Sequence, residues 1–96
     1  MKQDKRQGCY LIVTRTGKLY VGSVAGKGRS FTRRWSEHVR DLEKGTHVND
    51  GLRKDGAEGL RFIPIAITTR GDIAQARKVE SAIIKALGKA VCNERR

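Results

Sequence analysis

Three groups of residues in this chain of 96 carry chemistry in their types and spacing. Tyr10, Lys18 and Tyr20 flank one short turn, Arg34 and His38 stand four apart in a helical pattern, and Glu80 lies in the apolar stripe of another. A carboxylate aimed into a core is costly unless it meets a cation, a metal or several donors. Glu80 is therefore either half of a buried ion pair with Arg34 or Lys18, or a single-carboxylate metal ligand. Magnesium suits the second reading, because it takes one or two carboxylates and completes its shell with water and substrate phosphate. Arg34 and His38, one helical turn apart, project side by side. A lone arginine or histidine on a helix is ordinarily solvated or structural. A pair bordering a core stripe and facing two phenols reads as a site.

The hairpin that must position the phenols runs from Gly8 to Gly22, GCYLIVTRTGKLYVG. Two apolar runs flank Arg15-Thr16-Gly17, and a three-residue loop with Gly17 at positive φ pairs Thr14 with Lys18. Alternation then puts Cys9, Leu11, Val13, Leu19 and Val21 on an apolar core face. Tyr10, Ile12, Thr14, Lys18 and Tyr20 fall on the other, non-core side. A two-residue loop would slip the register by one and mix the two faces. On the hairpin alone, Tyr10 and Tyr20 read equally as half-buried sheet residues.

Ser30 can cap a helix running to about Lys44, with Gly45 as its stop. Phe31, Trp35, Val39 and Leu42 form its core stripe, and Arg34, His38 and Asp41 follow the same rhythm along the stripe's edge. The connection before it, SVAGKGRS, is glycine-rich and basic but lacks the order of a phosphate-binding P-loop. It reads either as a mobile loop touching phosphates through Lys27 and Arg29, with Arg33 following on the helix, or as a plain strand-to-helix connection. THVNDGLRKDG holds His47 and Asn49 and is one or two helical turns broken by glycine. Leu60 to Thr69 reads as a buried strand, which Pro64 assigns to an edge or a bulge. Asp72 caps a last helix, Ile73 to Leu87, stopped by Gly88, whose apolar arc holds Ile73, Ala76, Ile83, Ile84 and Leu87. The predicted fold class is α+β, three-layer α/β/α-like: a small mixed or antiparallel three-stranded sheet flanked by helices, in the order β-β-α-(short α)-β-α.

At this length the chain is one domain with a single modest core, residues 8–96, behind a charged and poorly ordered lead-in, Met1 to Gln7. Lys and Arg number 21 against 10 acidic residues, a formal charge of +11. Such a field attracts polyanions, nucleic acid first among them. No stretch has the bulky apolar face of a basic membrane-surface helix, and no apolar run spans a bilayer. The polar start is not signal-like. Cys9 and Cys92 form no CxxC pair, and two histidines offer no zinc spacing; both cysteines read as small buried residues in a reducing compartment. These features predict a soluble, intracellular, cytoplasmic protein.

Gly8-Cys9-Tyr10 and Tyr20-Val21-Gly22, followed by Arg34-Trp35 with His38 one turn on, then Glu80 and a closing Asn93, form an ordered set. By these residues the sequence resembles the GIY-YIG nuclease domain over nearly its whole length. HVRDLEKGTHVNDGL, with His47 after Lys44-Gly45, is most similar to the phage and intron-encoded homing endonucleases of that family. Cys9 replaces the usual isoleucine, a core-face change that leaves the chemistry intact. Val24 to Thr32 is longer and more glycine-rich than in the homing enzymes. Those enzymes carry a separate DNA-recognition region, so this chain is expected to be either an isolated catalytic domain or a stand-alone nuclease that dimerises or reads DNA structure.

The resemblance implies hydrolysis of a DNA phosphodiester, double-stranded DNA being the expected substrate, with a 5′-phosphate and a 3′-hydroxyl left behind. It implies one divalent ion, Mg2+ or Mn2+, on Glu80. Tyr10 would position the attacking water and take its proton, a role that needs a phenol pKa below the ordinary value of about 10. Lys18 and Tyr20 would stabilise its phenolate, and Arg34 would clamp the scissile phosphate. His38 would orient Tyr10 or shuttle its proton, His47 would assist at the phosphate, and Asn93 would support the site from behind. Lys18, Lys27, Arg29, Arg33 and His47 make the expected DNA-binding set. Two other classes stay open: a non-catalytic nucleic-acid-binding module on this fold, and a small basic ribosome-like structural protein. Monomer and weak homodimer both fit.

Overall fold

The computed structural model describes residues 5–47 and 49–88. Strands β1 (Gly8–Val13) and β2 (Leu19–Val24) are followed by helices α1 (Phe31–Lys44) and α2 (Asp50–Asp55), strand β3 (Arg61–Ile67) and helix α3 (Ile73–Leu87). The sheet has the order β2-β1-β3 and is antiparallel throughout. The α+β class and the element order are as expected.

Turn chemistry sets the hairpin register. Gly17 lies at φ +89°, and Thr14 N–H donates to the Lys18 carbonyl at 3.0 Å. Leu11 therefore faces Val21, Ile12 faces Tyr20, and Tyr10 faces Gly22, as the three-residue loop requires.

The assignment of faces needs correction. Tyr10 and Ile12 are both buried and form the main core with Val24, Phe31, Leu42 and Leu52, so the tyrosine side is a core side. Cys9 and Val21 are buried on the opposite face, where α3 covers β2 and β1. One small sheet has to bury the stripes of helices on both sides, so neither face is left to solvent. The aromatic side gains ring packing: Tyr10 stacks on Phe62 with centroids 4.6 Å apart and meets Phe31 edge-on at 6.5 Å.

Ser30 and Gly45 cap α1 as predicted: the serine hydroxyl accepts from Arg33 N–H and the glycine is left-handed. The helix is rotated from its predicted stripe, however. Phe31, His38 and Leu42 are buried, whereas Trp35 and Val39 are half-buried and Trp35 covers the outer side of Phe62. Asp72 and Gly88 cap α3. Ala76 and Ile84 are its buried residues, and Ile73 and Leu87 at its ends stay exposed.

The strand predicted as buried is an edge strand open on one side. Ile63, Ile65 and Ile67 are all exposed. Pro64 lies opposite Tyr10 beside a register shift, the bulged edge position that its missing N–H favours.

Gln7, the last residue of the expected lead-in, is buried. Its amide nitrogen donates to the carbonyls of Gly26 and Arg29, its side-chain oxygen accepts from Gly71 N–H, and its own carbonyl accepts from Thr68 N–H. One side chain thus ties the loop before α1 to the loop before α3. Among the described residues no helix is long and apolar enough to cross a membrane.

Candidate active site

Tyr10 reaches the site because of a glycine. The phenol passes over Gly22 on the edge strand β2, where an added methyl carbon would overlap the ring and hydroxyl. Gly8, the other glycine of the paired motifs, has φ +147°, and a side chain there would run into the Ala66 carbonyl of β3. One glycine lets β3 approach and the other lets a phenol extend to the sheet edge.

The Tyr10 oxygen lies 2.7 Å from His38 Nε2 and accepts from Arg34 Nε at 3.3 Å. His38 Nδ1 is 2.7 Å from His47 Nε2, and the rings stack with centroids 4.9 Å apart. Asn49 N–H donates to His47 Nδ1 at 3.0 Å. Tyr20 packs edge-on against both imidazoles, at 5.5 Å from His38 and 6.3 Å from His47. Tyr10, His38 and His47 are each no more than 3% exposed.

Burial governs the electrostatics here. It pushes His38 down to about 3, with the Arg34 charge and His47 acting in the same direction, so its imidazole is neutral at physiological pH. His47 is lowered chiefly by burial as well. The Tyr10 phenol is raised above its ordinary value, first by burial and then by Tyr20 and Glu80, while Arg34 opposes the rise. The expectation of a depressed phenol therefore fails for the free domain: loss of solvent outweighs one guanidinium.

Arg34 shares its guanidinium between Tyr10 and Glu37, whose carboxylate accepts from Arg34 Nη1 at 2.9 Å. The same carboxylate takes both terminal nitrogens of Arg29, at 3.1 and 2.9 Å. These bonds, Arg29 first, hold the Glu37 carboxyl below its ordinary range. Arg29, Arg34 and Arg77 line one cavity of about 360 Å³ together with Ser23.

Glu80 comes to this edge from the other face of the sheet. It is half-buried on α3 and accepts from the Ser23 hydroxyl at 3.0 Å. The ion pair considered from sequence is not made, since Arg34 pairs with Glu37 and Lys18 with Asp55 at 3.6 Å. Among the described residues no group of three or more histidines, cysteines or acids is placed to hold a metal. One carboxylate beside an open basic cavity instead fits a hard cation that keeps most of its shell for water and phosphate.

Of the expected site residues, Tyr10, Tyr20, Arg34, His38 and His47 are brought together, Arg34 and Arg29 line the cavity, and Glu80 is joined to it through Ser23. Lys18 does not join them. It lies four residues along the hairpin from Gly22, about 13 Å at strand rise, where it pairs with Asp55. His47 is buried behind His38 rather than open to a phosphate. Lys27 and Arg33 are exposed, Arg33 reaching Glu37 only at 3.8 Å. Asn93 lies outside the described residues. Sequence reasoning missed Ser23, Glu37, Asn49 and Arg77. Spacing signals two of them: Glu37 stands three after Arg34 and Arg77 three before Glu80, each on its partner's side of a helix.

The chain is similar to two solved structures. One is the catalytic domain of homing endonuclease I-TevI: 28% identity, TM-score 0.68, covering 85% of this chain and 88% of that one. The other is a mutant of the catalytic domain of intron endonuclease I-TevI: 26% identity, TM-score 0.70, covering 85% and 84%. No curated protein sequence matches the chain. The family model for the GIY-YIG catalytic domain matches residues 6–93. With that match over most of its length and this fold, the chain belongs to the GIY-YIG family of endonuclease domains.

Proposed function

We propose that this domain is a divalent-metal-dependent DNA endonuclease of the homing type, from a phage or another mobile element, acting inside the cell on double-stranded DNA. The observation that carries the reading is one arginine-lined cavity to which Arg34 connects the Tyr10–His38 pair from one face of the sheet and Ser23 connects Glu80 from the other. A net charge of +11 supplies the attraction for the polyanion.

In this reading a water oxygen attacks phosphorus and the bond to the 3′ oxygen breaks, leaving a 5′-phosphate and a 3′-hydroxyl. Tyr10 first gives its own proton to solvent, a loss that burial opposes in the free domain and that positive charge at the occupied site would favour. Its phenolate then takes the proton from the water, and solvent protonates the departing 3′ oxygen. Arg34 Nε and the His38 imidazole hold the phenol oxygen, and the rest of the Arg34 fork is available to the scissile phosphate once Glu37 yields it. Arg29 and Arg77 receive neighbouring phosphates, with Lys27 and Arg33 on the exposed approach. Glu80 would hold Mg2+ or Mn2+, which when bound supplies Lewis-acid charge at the phosphate. Asn93 is proposed to support this centre.

Supercoiled plasmid tests the proposal directly. Nicking or linearisation with Mg2+ that disappears in EDTA and in Tyr10→Phe supports both the nuclease and its base. Salt-dependent DNA binding with no cleavage of plasmid, branched or single-stranded DNA would instead identify a binding module.

A further inference from the structure

Three polar groups stand in line behind the Tyr10 phenol, and the last of them has only one possible polarity. The Asn49 backbone N–H can only donate, and it points at His47 Nδ1 at 3.0 Å. That nitrogen must therefore carry a lone pair, which leaves the proton of a neutral His47 on Nε2. His47 Nε2 lies 2.7 Å from His38 Nδ1. With a donor facing it, His38 Nδ1 must accept, so the single proton of a neutral His38 sits on Nε2. His38 Nε2 is 2.7 Å from the Tyr10 oxygen.

We infer that His47, anchored by the Asn49 amide, locks His38 in the Nε2–H tautomer, so that His38 donates to the Tyr10 oxygen and does not receive its proton. The inference rests on the reading of Tyr10 as the base. The chain of donors runs one way: Asn49 amide to His47, His47 to His38, His38 to Tyr10. Arg34 Nε adds a second donor to the same oxygen. Two hydrogen bonds donated by nitrogen oppose the rise that burial imposes on the phenol, and while Tyr10 is protonated its own O–H is directed away from both donors. His38 and His47 are positioning residues, and a shuttle through His38 is excluded by this polarity.

The anchor is built rigidly. The Asn49 side chain caps α2 by accepting Leu52 N–H at 2.9 Å, and Arg53 donates to the His47 carbonyl at 2.7 Å. Both rings are buried and stacked, so neither can rotate to exchange its nitrogens without opening the core. Neutral rings are needed throughout, and the burial that lowers both histidines keeps them so.

The test is the imidazole nitrogen signature in long-range 15N–1H spectra of the intact domain near neutral pH, recorded without DNA. Pyrrole-type Nε2 and pyridine-type Nδ1 in both histidines are expected. A His38 protonated on Nδ1, or on both nitrogens, would overturn the inference. Two variants carry it to function. His47→Gln keeps an amide donor near the Nε2 position and should leave the His38 tautomer as in the wild type. His47→Glu presents an acceptor, so His38 should switch to Nδ1–H and kcat should fall roughly ten- to a hundredfold, with KM for DNA little changed. An unchanged tautomer in His47→Glu, or a switched tautomer with unchanged kcat, refutes the proposal. A wild-type domain that shows the expected tautomer and cuts no DNA refutes the nuclease reading alone, so the two failures are distinct.

Discussion

The phenol of Tyr10 occupies the space that a side chain at Gly22 would need. Its hydroxyl, over β2, thereby meets His38 and Arg34, and Arg34 lines the cavity that Ser23, the partner of Glu80, lines from the other face. Gly22→Ala should force Tyr10 off its His38 contact. We expect a loss of about 1–3 kcal/mol from overpacking and loss of cleavage, measured by urea unfolding and plasmid nicking. Full stability with full activity would show that the ring can relocate at no cost.

His38 makes stability depend on pH in a defined direction. Its folded value, about 3, lies below the ordinary 6.5, so the unfolded chain binds more protons between these values. Stability is then complete above about pH 6.5 and is lost as the pH falls toward 3. The linkage amounts to about 2 kcal/mol lost by pH 5, and His47, lowered by the same burial, adds to it. Urea midpoints at pH 8 and pH 5 measure this, and His38→Gln should flatten the difference. An equally steep pH dependence in that variant would assign the effect elsewhere.

Glu37 holds Arg29 and Arg34 with one carboxylate, where a DNA phosphate would compete for them. Glu37→Gln should free positive charge at the cavity, tighten DNA binding severalfold and steepen its dependence on salt. Fluorescence anisotropy across a salt series reads both quantities. Weaker binding would mean that Glu37 prearranges the arginines rather than occupying them.

Glu80 has a direct hydrogen bond only from the Ser23 hydroxyl among the described residues, and it is half-buried. Replacing it should therefore cost little stability. Glu80→Gln is expected to keep its fold and its DNA affinity while cleavage drops at least about a hundredfold, as loss of a Lewis acid would cause. Equal cutting by the variant would remove Glu80 from the metal role.

Local chemistry alone determined much of this protein. Ser30, Gly45, Asp72 and Gly88 mark helix ends by satisfying backbone groups within one turn. Gly17 sets the hairpin register through a single loop. Pro64 identifies an edge strand by the N–H it lacks. Spacing and family resemblance single out Tyr10, Arg34, His38 and Glu80 as candidate site residues. Tertiary structure decided which face of β1 is the deeper core, because both faces are apolar enough and only the placement of α1 and α3 distinguishes them. It decided that Lys18 serves Asp55 at the far end of the hairpin. It also decided that His47 stands behind His38, a contact between two buried rings nine residues apart that no helical or strand periodicity encodes. The sign of the Tyr10 shift followed from the same cause, since burial is a property of the packed chain and not of any one segment of it.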